Sequence, residues 1–219
     1  MSEEDSMNRF ETPHSLSRRN PVERVMDKND PSGAFPISPP RTSGELRLLL
    51  SRPPLWTLIH ERMASELLHG RSLVLICGDN GLSTDFLARR AKNAGQSPEL
   101  LLSCLRVSRA FTVHQLLAAV TRHLETEVER SGANMAVLSG LLPLFSEAAI
   151  PSRESSRILG ALIRSLESLS LKNLRILLPV ALPLPLSRQA KSVISALFHA
   201  ANQVETVLCL PSPSFPSGD

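Results

Sequence analysis

Tyrosine is missing from this chain, tryptophan occurs once, and aromatic residues make up 4% of its 219 residues. No run of Lys and Arg occurs either, and the net charge is only +3. That balance permits nucleic-acid binding without indicating it. No stretch of 18 or more uncharged apolar residues is present, and the nearest candidate, Ile176 to Leu186, is short and carries three prolines. No membrane span is expected. Met1 to Asp5 is acidic and lacks the basic region and apolar core of a secretory signal, so a cytoplasmic protein is the expectation. Three cysteines, Cys77, Cys104 and Cys209, lie inside apolar runs without CxxC or CxxH spacing. An odd number so spaced excludes a disulfide framework and a zinc site, and predicts buried thiols that behave as small hydrophobes. No GxSxG elbow or HExxH pair is found, and no metal site is expected.

What the chain does have is alternation. Residues 1–44 are rich in Ser, Pro, Asn and charge and cannot bury enough apolar surface to offset their ordering entropy. They are read as a disordered segment, residues 45–211 as one α/β domain, and residues 212–219 as a flexible tail. Leu46, Leu48, Leu49 and Leu50 open an apolar stretch, and Leu55, Leu58, Ile59, Met63 and Leu67 then recur at helical spacing up to Gly70. Ser72–Cys77 is a continuous apolar run, as a buried parallel strand requires. Thr84 or Asp85 is placed to cap the next helix, which ends at Gly95. Further strands are predicted at Leu105–Ser108, Met135–Leu142, Leu174–Leu182 and Thr206–Leu210. Pro179 should end or bulge the fourth of these five, because it has no N–H for the ladder. The intervening helices carry Val113, Leu116, Leu117, Val120, Leu124 and Val128 on one face, then Ile158, Leu159, Leu162, Ile163, Leu166 and Leu169. Strands alternating with helices of this length predict a mostly parallel sheet with helices on both faces.

Ligands of such sheets bind beyond the carboxyl ends of the strands. The first of these ends carries Gly78-Asp79-Asn80-Gly81-Leu82-Ser83-Thr84-Asp85, a loop that follows a strand and opens a helix, which is the context of a P-loop. Set against GxxxxGK[ST], Gly78 fits the first glycine. Ser83 falls on the second glycine, Thr84 on the lysine and Asp85 on the magnesium-binding hydroxyl. Without the lysine no cation reaches the outer phosphates. Asp85 brings negative charge to the helix end that would otherwise attract phosphate, and Asp79 adds more. Gly78, Asp79, Asn80, Gly81, Ser83, Thr84 and Asp85 therefore define a P-loop-like crevice of the wrong electrostatic sign for a triphosphate. Read without a ligand, the same loop is a solvated turn capped by its own acid.

The strand–loop–helix of residues 73–95, the phrase Arg106-Val107-Ser108-Arg109-Ala110-Phe111-Thr112 and the run Ala136-Val137-Leu138-Ser139-Gly140-Leu141-Leu142 together resemble the RecA-type recombinase family. The likeness spans about residues 50–211. It implies a RecA-like P-loop fold. In that family an aspartate ends the third segment and binds metal, and here Ser139 stands in its place. A carboxylate polarises the attacking water there, yet no Asp or Glu lies between Leu100 and Glu125. The polar sensor expected after a later strand is replaced by Leu182-Pro183-Leu184-Pro185-Leu186. Some lineages dock a linker phenylalanine into the neighbouring subunit. Phe35 with Ser38 matches that only loosely and is read as linker.

The resemblance thus implies a degenerate member, with no catalytic residue assigned, hydrolysis of ATP not expected and no cofactor required. Its expected role is binding a partner protein, either another RecA-like subunit or a second copy of itself, with DNA as a further partner in repair or recombination. The alternative is a nucleotide-binding ATPase, or an enzyme that uses the crevice for a different ligand. Arg109, Thr112 and Gln115, at the end of the second strand, are candidates for such binding. Arg109 has a structural reading too, as an ion pair with Asp85 or Asp79. His114 is read as a surface or capping residue, and Trp56 and Phe145 as packing residues.

Overall fold

A computed structural model of the chain describes residues 22–26, 44–51, 55–147, 150–182 and 187–209. Its strands are β1 (Val22–Met26), β2 (Glu45–Ser51), β3 (Leu73–Cys77), β4 (Leu105–Arg109), β5 (Met135–Ser139), β6 (Arg175–Ala181) and β7 (Gln203–Cys209). All pair in parallel, in the order β1-β7-β2-β6-β5-β3-β4. The helices are α1 (Leu55–Leu68), α2 (Thr84–Asn93), α3 (Pro98–Ser103), α4 (Val113–Ala118), α5 (Leu124–Ser131), α6 (Leu141–Glu147), α7 (Ser152–Leu171) and α8 (Arg188–Ala200).

Side-chain alternation divides the core between the two faces of the sheet. Leu46, Leu48, Val74, Ile76, Ala136, Leu138, Ile176 and Leu178 pack with residues of α4 through α8. Leu49, Leu73, Leu75, Cys77, Met135, Val137 and Leu177 pack with α1, α2 and α3. Period-two burial within an apolar run follows from the pleat, which sends neighbouring side chains to opposite faces. β3 and β5 are buried at every position. Both lie inside the sheet with helices above and below, as near-continuous apolar strands must.

The parallel α/β architecture expected from the sequence is therefore present, with four local differences. The Leu46–Leu50 stretch is β2, an inner strand between β7 and β6. Val22–Met26, inside the segment expected to be disordered, forms a strand on β7. Composition registers apolar content but not a neighbour's free ladder groups, which is what an added strand uses. Phe35 and Ser38 lie outside the described residues, as does the tail 212–219. Pro179 neither ends nor bulges β6, which continues to Ala181 in register with β2. Arg175 N–H donates to Asn134 O on the β5 side, and alternation turns position 179 the same way. β5 pairing stops at Val137↔Leu177, so the missing N–H falls where no ladder remains.

The fourth difference concerns the long helix. α4 and α5 are joined by a π-helical turn, Ala119–His123, and the whole ends at Gly132 in the left-handed conformation. Leu116, Val120 and Leu124 are each buried and four residues apart. In an α-helix each four-residue step overshoots a full turn by about 40°. The wider i→i+5 turn absorbs that drift and keeps the stripe on the sheet.

Candidate functional site

From β3 the chain moves to β4 on one flank, then crosses back to β5 on the other. Such a reversal opens a crevice at the carboxyl ends of the strands. The 78–83 loop leaves β3 here, beside the turn that leaves β5. That turn comes earlier than expected. The third predicted strand, Met135–Leu142, ends at Ser139, and α6 begins at Leu141. Gly140 makes the break at φ +76, which a side chain strongly disfavours. The two turns touch backbone to backbone. Gly78 N–H donates to Ser139 O at 2.9 Å, and a Cβ on Gly140 would stand 2.4 Å from the Gly78 carbonyl carbon.

Asp79 points into this contact. Its Oδ1 accepts from Ser139 Oγ at 3.2 Å and from Cys77 Sγ at 3.4 Å, and its Oδ2 accepts from Trp56 Nε1 at 3.3 Å. Cys77 Sγ also donates to the Asp79 carbonyl at 2.8 Å. Ser139 thus serves as a donor to a carboxylate supplied from the loop. Burial pushes the Cys77 thiol above its ordinary value, and the neighbouring Asp79 charge adds to the rise. A thiol so held is a hydrogen-bond donor and a poor nucleophile.

The other half of the site comes from α1. Trp56 and His60 are four residues apart and so share one face of that helix. The indole lies on Gly81, where a Cβ would fall 1.5 Å from Trp56 Nε1. No other residue fits that close approach. His60 is stacked on Phe86 with centroids 5.2 Å apart, and lies 5.0 Å from Trp56 with the two rings tilted by 36°. It is only 4% exposed, and burial lowers its pKa below 6.5. Ser83 N–H donates to His60 Nε2 at 2.8 Å. A ring nitrogen that accepts is unprotonated, so the imidazole is neutral with its proton on Nδ1. The amide that a P-loop-like turn would aim at phosphate is occupied by a side chain of the same protein.

The cap of α2 differs from expectation. Ser83, not Thr84 or Asp85, is the N-cap, in extended backbone with its Oγ accepting from Phe86 N–H at 3.2 Å. Thr84 and Asp85 are exposed in the first turn. There Asp85 complements the helix dipole without a ligand. Arg109 also pairs differently. Its Nη1 donates to the neutral Asn80 Oδ1 at 3.1 Å, in place of the ion pair with Asp79 or Asp85. The reason is that Asp79 is turned inward onto Trp56 and Ser139. Thr112 and Gln115 cap α4 together. Thr112 Oγ1 accepts from Gln115 N–H at 3.2 Å, and Gln115 Oε1 accepts from Phe111 N–H at 2.8 Å, a variant of the capping box. His114 is exposed, with Nε2 3.7 Å from Glu154 Oε1.

Gly78, Asp79, Asn80, Gly81, Ser83 and Arg109 therefore gather at the end of β3, while Thr84, Asp85, Thr112 and Gln115 serve helix starts. The residue that sequence reasoning misses is His60. The signal was available in the only tryptophan of the chain, set one helical turn from a histidine on the element that enters just before the loop. Among the described residues no three His, Cys, Asp or Glu side chains gather where they could hold a metal ion. Among the same residues no helix is long and apolar enough to cross a membrane.

A wholly parallel sheet covered on both faces, with a glycine-bearing strand–loop–helix at its switch point, defines an α/β protein of RecA-like architecture. Among solved structures the chain is similar to a crystal structure of the RadB recombinase, with a TM-score of 0.60 at 12% identity, covering 78% of each chain. That likeness is one of fold. No family model matches the sequence, and no curated protein matches it.

Proposed function

We propose that this chain is a non-catalytic RecA-like protein that works by binding another protein, a RecA-like subunit or a second copy of itself, in DNA repair or recombination. The observation that carries the reading is the filled cradle. His60 occupies the Ser83 amide, Trp56 covers Gly81, and Asp79 is bonded inward. Phosphoryl transfer depends on positioning and charge neutralisation, and this loop has no lysine to supply either. The recombination context rests on the fold shared with the RadB recombinase.

A surface for the partner is available on β4. This edge strand buries Leu105 but leaves Arg106, Val107, Ser108 and Arg109 exposed. Phe111 just beyond it is 71% exposed, and Leu100 on α3 is 72% exposed. Exposed apolar side chains beside an edge strand favour association. Arg106 and Arg109, set by alternation on opposite faces of the strand, suit an acidic or polar segment better than naked DNA, given the mild charge of the whole.

Thermal unfolding with ATP and magnesium tests the reading. A nucleotide site at a hundredfold excess over its Kd would raise stability by about 2.7 kcal/mol, and no shift is expected. Sedimentation of the chain alone and with short DNA tests the binding side. A Val107→Lys, Phe111→Glu double variant should abolish any self-association. A magnesium-dependent ATP shift would instead restore the alternative of a nucleotide-binding protein.

A further inference from the structure

We propose that Trp56 and His60 form a proton-operated latch, which holds the 78–83 loop shut while His60 is neutral and frees it when His60 takes up a proton. The closed state is held at two points of α1. Trp56 lies on Gly81 and donates to Asp79, and His60 accepts from Ser83 N–H. The second point rests on an imidazole, the side chain whose charge changes near neutrality. Once Nε2 carries a proton, two N–H donors face each other across 2.8 Å, and the bond is replaced by repulsion. The positive end of α2 lies on the same side, because Ser83 is its N-cap, and it opposes a cation further.

The surrounding charges do not rescue the imidazolium. On α2, Asp85 and Arg89 are exposed, and Arg90 is paired with Glu61 of α1 at 3.1 Å. In the loop, Asp79 is already engaged by Trp56, Ser139 and Cys77. The faces of Trp56 and Phe86 attract a cation but offer no acceptor for the new Nε2 proton.

The sign follows from burial. His60 in the closed loop binds its proton less readily than a free imidazole of 6.5. Closure is therefore at full strength above that value and weakens as the pH falls below it. Asn80 Oδ1 accepts from Arg109 of β4, so the loop also touches the edge assigned to the partner. The latch rests on the reading of the loop as a filled cradle. Its test needs neither nucleotide nor partner, so its failure would leave the binding reading standing.

The single tryptophan makes the latch observable. Trp56 emission and the protection of the Ser83 amide, taken relative to its intrinsic exchange rate, are followed on the full chain from about pH 8 to about pH 5. Far-UV circular dichroism reports the fold in parallel. The expected result is a one-proton transition with its midpoint below 6.5. Emission moves to the red and Ser83 loses about tenfold or more of its protection, with the dichroism unchanged. His60→Gln keeps an acceptor for Ser83 but cannot titrate, and should be flat. A transition that persists in H60Q, one that coincides with loss of dichroism, or none at all in wild type overturns the latch. Should H60Q not fold, the wild-type His60 imidazole signal decides. Its midpoint must match the loss of Ser83 protection, and a mismatch overturns the proposal.

Discussion

The two ends of β3 solve the problem of buried polar groups in opposite ways. At its carboxyl end the partners are mostly uncharged. An indole, a hydroxyl, a thiol and a neutral imidazole satisfy one carboxylate and one amide. At its amino end charge is met by charge. Glu66 of α1 is buried and accepts from Arg71 at 3.0 Å and from Arg175 at 3.0 and 2.7 Å, and Arg175 also reaches Asn134. Burial alone would raise the Glu66 carboxyl, but hydrogen bonds from Arg175 and Arg71 outweigh it and hold the group below its ordinary value. This second arrangement clamps α1, the approach to β3 and the start of β6 to one another. The first closes one loop onto α1. An end held by ion pairs is expected to be rigid and costly to damage, and one filled by short neutral contacts to be cheaper to open.

Arg175→Ala should therefore have the largest effect. It leaves Glu66 buried with Arg71 as its one remaining cation, at a cost of about 2–4 kcal/mol in chemical denaturation. Wild type should lose stability as the pH falls from 4.5 through the lower value of the folded Glu66 carboxyl, since a carboxyl depressed in the fold stabilises above its unfolded value. A cost at Arg175 no larger than at the loop would erase the contrast. Gly81→Ala comes next. Its Cβ would overlap the Trp56 ring, so the indole must leave, for about 1–3 kcal/mol and a red shift of the single tryptophan. An unchanged spectrum would mean that Trp56 does not seal the loop. Arg109→Ala should cost least, below about 0.5 kcal/mol, because its bond to Asn80 is exposed and its partner neutral. A larger loss, or coupling with Asp85→Asn in a double-mutant cycle, would reinstate the ion pair that Asp79 and Asp85 suggest on paper.

Much of the fold is legible in the sequence because burial leaves a local trace. Ser72–Cys77 and Met135–Leu142 read as strands from their composition alone, and β3 and β5 lie within those ranges. The ends were less legible where a single glycine decides. Gly140 stops β5 three residues before its apolar run ends, and the reason is its close approach to Gly78, a contact between segments about sixty residues apart. The site was half legible. The residues around Gly78 are contiguous, so the absence of a lysine and the surplus of acid could be seen at once. Their partners could not. Trp56 reads as an ordinary packing residue, and its spacing from His60 marks a shared helix face without naming the Ser83 amide as the partner.

The sequence by itself determined the alternation of strands and helices, the place of the loop and the absence of a lysine from it, because each depends on residues that are neighbours in the chain. Only the tertiary structure decided that α1 lies over that loop, that Asp79 faces inward and that Arg109 meets Asn80. Those outcomes depend on where a helix rests across the sheet. That position is a sum over many small packing contacts, and no one stretch of residues encodes it.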